Sequence, residues 1–440
     1  MNRREYERKK EKQIAYQKEK QRAGIKRKKQ FFLFLRVFLC VLLCGGALLT
    51  AIYAIKMHGV QAGMSQLASD SEKILVEAFP FGVPGGNEVQ AEKTEDIGKY
   101  ADVLADAVKM QEENIYAKES KNPDEVIMTF AGDIMFDDSY SIMNTYKYNG
   151  GNINECISPT LIDEMQAADI FMINNECTFT TRGTPTAGKT YTFRGKPEYV
   201  KILQDIGADI VSLANNHAYD YGEISLLDTM DTLKSASVPY VGAGNNAQEA
   251  SRPVYFIVND IKIAILSATQ IERVDNPDTK GATENSPGVF RCREPEALCA
   301  AIKEAKQNSD FVVVYVHWGT ENETAIDWAQ KEQAPLYAEA GADLIIGDHP
   351  HILQGIDYQG NTPVIYSLGN FWFNSKTIDT GMVKVTLDEN GIKSYQFIPC
   401  LQSDCKTTLL SGSEKERVLQ NMRTMSTGIN IDAEGYVTRQ

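Results

Sequence analysis

A mixed α/β fold is predicted by three features of this 440-residue sequence. Short β-branched apolar runs alternate with amphipathic stretches, a helix–Ala-Asp–strand unit occurs three times, and two segments carry hairpin turn residues. The runs Val126–Phe130, Ile170–Ile173, Ile210–Leu213, Phe311–Val316, Leu344–Ile346 and Val364–Tyr366 hold no charge, as strands covered on both faces do. Between them Ser158-Pro159, Pro197 and Pro295 open helices and Gly207 closes one, since Pro suits a first turn and Gly a C-terminal cap. The repeated unit is Ala168-Asp169-Ile170, Ala208-Asp209-Ile210 and Ala342-Asp343-Leu344, the pattern of helices layered on a sheet. Val254–Leu266 turns at Asn259-Asp260 and Met382–Ile398 turns at Glu389-Asn390-Gly391, so antiparallel strands join the parallel ones.

Charge divides the chain. The formal net charge is −14, but the first thirty residues hold thirteen Lys or Arg against four Glu, a net of +9. Residues 31–56 add only Arg36 and Lys56, which leaves −25 on residues 57–440. Val37–Ile55 is an uncharged apolar stretch of 19 residues, about the length of a membrane-crossing helix. The basic flank before it places the N-terminus in the cytoplasm and the remainder outside the cell. The apolar run continues past the small-residue site at Gly45 and Ala47, against a cleaved signal peptide, and Leu43 before Cys44 disfavours a lipoprotein anchor. The expected organisation is a basic tail (1–30), a single transmembrane anchor (31–56), a stalk (57–123) with a helix around Glu92–Ala117, a main domain (124–375), and a C-terminal hairpin and tail (376–440). An acidic outward-facing domain excludes nucleic acid as a partner. Six cysteines follow the anchor, open to disulfides (Cys400 and Cys405 are nearest in sequence) or to burial as free thiols.

Four of the five histidines follow predicted strands. Val126–Phe130 leads to Gly132-Asp133, Ile170–Ile173 to Asn174-Asn175-Glu176, and Ile210–Leu213 to Asn215-Asn216-His217 with Asp220 behind. Phe311–Val316 leads to His317, Leu344–Ile346 to Asp348-His349-Pro350-His351, and Val364–Tyr366 to Asn370. Carboxyl ends of parallel strands form the ligand crevice of open α/β sheets. Each motif alone has a bland reading: a turn at Asp133, a cap at Asn174–Glu176, a packed core imidazole at His317. Together they deliver Asp, Glu, Asn and His to one place, the donors of borderline divalent metals such as Mn, Zn or Fe. His58, just past the apolar stretch, has no such company. Lys189, Arg194 and Lys196 form a basic patch able to meet an anionic substrate, or simply a solvated loop.

Gly132-Asp133-Ile134-Met135, Asn174-Asn175-Glu176, Ala214–Gly222, His317-Trp318-Gly319, Gly347–His351 and Ser367–Phe371 resemble the motifs of the bacterial capsule synthesis protein CapA family. The resemblance covers about Val126 to Phe373. It implies a membrane-anchored protein of poly-γ-glutamate synthesis and export, working with the membrane subunits of a polymer synthase. That family is in turn similar to calcineurin-like metallophosphoesterases, which implies a four-layer α/β/β/α sandwich with one or two metal ions. By position, Asp133, Glu176 and His351 would hold the first ion and Asn216, His317 and His349 the second, with Glu176 bridging. His217 would face the substrate as an acid or as a binder of the transferred group, oriented by Asp220. Asn175, Arg194, Lys196 and Asn370 would contact substrate. Met135 stands where a phosphoesterase of that fold has a histidine, which weakens the first ion site. The alternatives are a non-catalytic accessory subunit of a synthase or exporter, and a secreted metal-dependent phosphoesterase.

Overall fold

Alternate residues of the apolar runs go to opposite faces, and the computed structural model, which describes residues 98–272 and 279–440, stacks two sheets so that both faces of each are covered. One sheet has the order Ile115–Ala117, Val254–Val258, Ile261–Thr269, Phe311–His317, Leu344–Asp348, Thr362–Ile365, Ile356–Gln359. The other runs Lys406–Leu409, Gly391–Ser403, Ile378–Asp388, Val126–Ile134, Ile170–Asn175, Ile210–Ser212, Tyr240–Val241, with Asn370–Trp372 also paired to Val126–Ile134. Val313, Tyr315 and Ile346 face Met128, Phe130 and Met172 in the core between the sheets. Val312, Val314 and Val316 point the other way, onto Leu298, Ile302 and Tyr337 of the helices Glu296–Gln307 and Trp328–Ala340. Phe171, Ile173 and Val211 pack under Leu161, Met165, Leu226 and Leu233 of Pro159–Gln166 and Glu223–Ser235. The layers are therefore α/β/β/α, with parallel and antiparallel pairings in both sheets.

The Ala-Asp unit has a physical cause. Asp169 donates its amide to Ile127 O at 2.8 Å and accepts the Ile127 amide on its carboxylate at 2.7 Å. Asp209 does the same with Phe171 (2.9 and 2.9 Å) and Asp343 with Val312 (2.9 and 2.8 Å). Asp310, outside the repeat, treats Lys262 alike at 2.8 and 2.8 Å. Each carboxylate thus occupies an amide at the amino edge of the neighbouring strand that would otherwise go unpaired. Asp169→Ala is expected to cost roughly 1–3 kcal/mol in urea unfolding, because the Ile127 amide loses its acceptor. An unchanged midpoint would show that water replaces it.

Several expectations shift. Four of the strands run on to include Asp133, Asn174, His317 and Asp348, so these residues are held by ladder geometry rather than by loops. The last predicted strand is Thr362–Ile365, ending one residue earlier than expected. The helix opened by Pro197 and the one closed by Gly207 are a single element, a 3-10 turn Pro197–Tyr199 continuing as Val200–Asp205. The expected Glu92–Ala117 helix is, within the described residues, two short helices, Ala101–Leu104 and Ala107–Glu113, and then the edge strand Ile115–Ala117. Asn114 at φ 59° ends the second helix, and the following residues gain hydrogen bonds by pairing in parallel with Val254–Val258. Both hairpins stand; Asn259 and Asp260 take φ 47° and 60°, the left-handed pair of a two-residue turn. Cys156, Cys177, Cys292, Cys299, Cys400 and Cys405 are all free thiols. The apolar anchor lies outside the described residues, and among those described no helix is long and apolar enough to cross a membrane.

Candidate metal centre

Register brings the polar residues to one edge of the sandwich. In one sheet Asn370, Asp133, Asn174 and Ser212 stand side by side on adjacent strands; in the other Thr269, His317 and Asp348 do. Ser212 Oγ meets Ser267 Oγ at 2.8 Å and Tyr315 OH donates to Ala131 O at 2.7 Å, tying the two edges together. Gly132 is required here: a Cβ would lie 1.9 Å from Gly369 O, and that carbonyl accepts the Asp133 amide at 3.0 Å.

Two donor groups result. His317 Nε2 lies 2.8 Å from Asn216 Oδ1, 3.1 Å from His349 Nδ1 and 3.7 Å from Glu176 Oε1. Donors about 2.1 Å from a common ion stand roughly 3.0–3.4 Å apart, so this spacing suits one cation. His317 Nδ1 faces Asp348 Oδ1 at 2.9 Å, which fixes the ring with Nε2 toward the other donors. In the second group, Asp133, Glu176 and His351 offer atoms within 4.8 Å of one another, and His351 Nδ1 is 3.3 Å from Asp133 Oδ2 and 2.8 Å from Asn370 Oδ1. Asn174 Nδ2 donates to Asp133 Oδ1 at 2.9 Å, and Asn215 Nδ2 to Asn174 Oδ1 at 2.9 Å. His349 and His351 hold φ of 94° and 61° around Pro350, a backbone strain that aims both rings inward.

The donors fit a divalent cation on their own chemistry. Asp133 Oδ2, Glu176 Oε1 and Asp348 Oδ2 are buried without a hydrogen-bond partner. Burial, then the charges of Asp133 and Asp348, pushes the Glu176 carboxyl well above the usual carboxylate range. Burial and then Asp133 push Asp348 up in the same way. Burial also raises Asp133, but the hydrogen bond and charge of His351, with His317 and Asn174, outweigh it and bring the group to about 2. Burial takes His317 down to about 3, and takes His349 well below the usual range with help from His317 and His351. Burial lowers His351 too, but Asp133 reverses this and leaves it raised. Neutral imidazoles crowded by carboxylates are metal ligands in waiting.

His217 stands beside these groups. Its Nδ1 is 2.7 Å from Asp220 Oδ2 and its Nε2 3.7 Å from Glu176 Oε1. Asp220 also accepts the Phe193 amide at 2.6 Å and the Lys189 ammonium at 2.5 Å. Lys189, buried, makes a second bond to Asn216 O, so it braces the His217 loop rather than a free anion. Burial lowers the His217 pKa against the pull of Asp220. The Phe193 ring lies 4.2 Å from that of His217, and the Phe373 ring lies 5.1 Å from that of His351.

The structure gathers Asp133, Glu176, Asn216, His317, His349, His351, His217, Asp220 and Asn370, and leaves others apart. Asn175 spends its amide on Cys177 O at 2.9 Å, inside the core. Lys196 is half exposed and paired with Asp138 at 3.5 Å. Arg194 is different: among the described arginines it alone has a guanidinium with neither hydrogen bond nor ion pair, resting 4.2 Å from the Tyr221 ring centre. Met135 lies in the helix-covered core, its Sδ 2.9 Å from the Asp137 amide, so that position offers the centre nothing. Sequence reasoning assigned no role to Asp348 or Asn174; that both end strands in register with His317 and Asp133 is a pairing no single motif displays.

Comparison with known proteins links the sequence to a family. A model of bacterial capsule synthesis protein PGA_cap matches residues 127–375. The chain is 33% identical over 278 residues to the PGA biosynthesis protein CapA of Bacillus subtilis (strain 168), covering 62% of this chain and 70% of that one. It is 34% identical over 246 residues to the capsule biosynthesis protein CapA of Bacillus anthracis, covering 54% and 58%. A Mycobacterium tuberculosis protein described as a polyglutamine synthesis accessory protein is 28% identical over 213 residues, covering 47% and 56%. The match therefore spans little more than half of the last two proteins. The crystal structure of 5′-nucleotidase from Candida albicans SC5314 aligns over 64% of this chain and 53% of that one, at 11% identity and a TM-score of 0.34. Every strand-end motif of the centre falls inside the matched stretch, which is more than half of the sequence, and the chain belongs to the bacterial capsule synthesis protein PGA_cap family.

Proposed function

We propose that this protein serves the synthesis or export of an anionic capsule polymer, poly-γ-glutamate by preference, from the outer face of the cell membrane. A metal-centred site does the work, and the 31–56 segment anchors the chain beside the membrane subunits of a polymer synthase. Family membership and the names of the Bacillus relatives support the polymer. The single observation that carries the reading is the convergence of three orphaned carboxylate oxygens, three imidazoles and Asn216 beside the His217–Asp220 pair.

One or two divalent ions (Mn, Zn or Fe) would supply Lewis-acid polarisation of a carbonyl oxygen. The chain's own groups do the rest. Asp220 accepts Nδ1–H of His217 and favours the imidazolium, so that Nε2 takes a proton from the attacking water and then returns it to the departing amide nitrogen. Lys189 fixes Asp220 and the Asn216 carbonyl together, so the acid and a metal donor move as one unit. Phe193 packs on the His217 ring and Phe373 against Phe193. Arg194, with no partner of its own, receives a carboxylate of the polymer. Arg194→Gln is expected to weaken retention of poly-γ-glutamate by roughly tenfold, as loss of one charge-assisted contact does, with metal content unchanged. Equal retention by both proteins would remove Arg194 from the substrate path.

Metal analysis of the full-length protein in detergent tests the whole reading, together with polymer output from cells carrying only Asp133→Ala/His317→Ala. No bound metal, with polymer still made by that variant, would refute it. The mycobacterial relative's description as an accessory protein favours a second reading, in which the same centre binds polymer ends without cleaving them. Turnover of a γ-glutamyl amide, lost on His217→Ala, separates the two. Phosphate release from a small ester would instead support a phosphoesterase.

A further inference from the structure

Asp348 is fully buried at the end of Leu344–Asp348, in register with His317, and the function described above gives it only the His317 ring to hold. That contact uses one oxygen. Oδ1 takes His317 Nδ1 at 2.9 Å, while Oδ2 has no hydrogen-bond partner. Asp133 Oδ2, across the junction between the sheets, has only the His351 ring beside it, at 3.3 Å and outside good hydrogen-bond geometry. Asp133, His317 and Asp348 offer ligand atoms that all lie within 4.8 Å of one another. Two buried carboxylates this close, each with an oxygen short of donors, repel one another, and a cation held between them removes the repulsion.

We propose that Asp348 is a carboxylate ligand of the cation on the Asp133 side, joining Asp133, Glu176 and His351 and so making a fourth donor from the opposite sheet. The two oxygens then have separate tasks. Oδ1 keeps Nε2 of His317 aimed at Asn216 and His349, and Oδ2 completes the neighbouring ion. Met135 adds no donor on this side, since its side chain is in the helix-covered core. Asp348 therefore links the two ion positions through a single side chain.

The assignment rests on the metal-centred reading and is tested so that the two can fail separately. Full-length protein in detergent is titrated with Mn²⁺ by calorimetry, and bound metal is counted after gel filtration, for wild type and Asp348→Asn. Asparagine retains an oxygen for His317 Nδ1–H but removes the negative charge. Wild type is expected to bind two ions. The variant is expected to keep one at wild-type affinity, which also reports that it is folded, and to bind the other more than about 100-fold more weakly, beyond the 10–100-fold typical of a residue that only orients a ligand. Weakening of less than 100-fold, or two ions held by both proteins, overturns the ligand role and leaves Asp348 as a brace for His317. A wild type that binds one ion overturns it too. A wild type that binds none overturns the metal-centred reading itself.

Discussion

His317→Ala is expected to remove bound metal and polymer output together, with a fall of at least about a thousandfold in any turnover, because one ring serves both halves of the centre. Its Nε2 stands among Asn216, His349 and Glu176, and its Nδ1 against Asp348. The ring is fully buried, so the variant also leaves Asp348 Oδ1 without a donor and a hollow between the sheets. The stability loss should be roughly 2–4 kcal/mol in urea unfolding, the sum of an orphaned carboxylate and a cavity. Inductively coupled plasma analysis and a melting curve on the same preparation check both effects. Retention of a full complement of metal would remove His317 from the centre.

The second large effect is expected at His217. His217→Ala should keep its metal while losing about 10²–10⁴ in turnover, the usual contribution of a positioned proton donor. Asp220→Asn should lose a similar factor by presenting the wrong partner to Nδ1, and it also breaks the ion pair with Lys189. The informative control is Lys189→Met, which leaves His217 and Asp220 in contact but removes the ammonium that holds Asp220 and the Asn216 carbonyl. Metal content distinguishes the three. If His217→Ala turns over substrate at the wild-type rate, proton donation belongs to another group.

The strand ends were readable in the sequence because buried parallel strands are short, apolar and β-branched, and polar residues stand out where they stop. Asp133, Glu176, Asn216, His317, His349 and His351 were all visible in that way. Contacts that depend on register were not. Asp348 looks like one more residue of a polar loop until its strand is laid beside Phe311–His317, and Asn174 until Ile170–Asn175 is laid beside Val126–Ile134. Lys189 reads as part of a basic patch with Arg194 and Lys196, yet the fold buries it against Asp220, pairs Lys196 with Asp138, and leaves only the Arg194 guanidinium free. Local sequence shows charge but not its partner. The residues before the main domain were misjudged for a related reason. Ile115–Ala117 is too short to announce a strand by alternation, and it is one because the edge of Val254–Val258 has hydrogen bonds to offer.

The centre draws Asp133, Glu176 and Asn216 from one sheet and His317, His349 and His351 from the other. A cation held by both is a staple across the two halves of the sandwich, and its binding free energy becomes part of the energy that opposes their separation. At a thousand times its dissociation constant, such an ion adds about 4 kcal/mol to stability. A cell short of that metal would thus hold a protein that opens more often and is more exposed to proteases, so supply of the ion would govern how much protein survives as well as how fast it works.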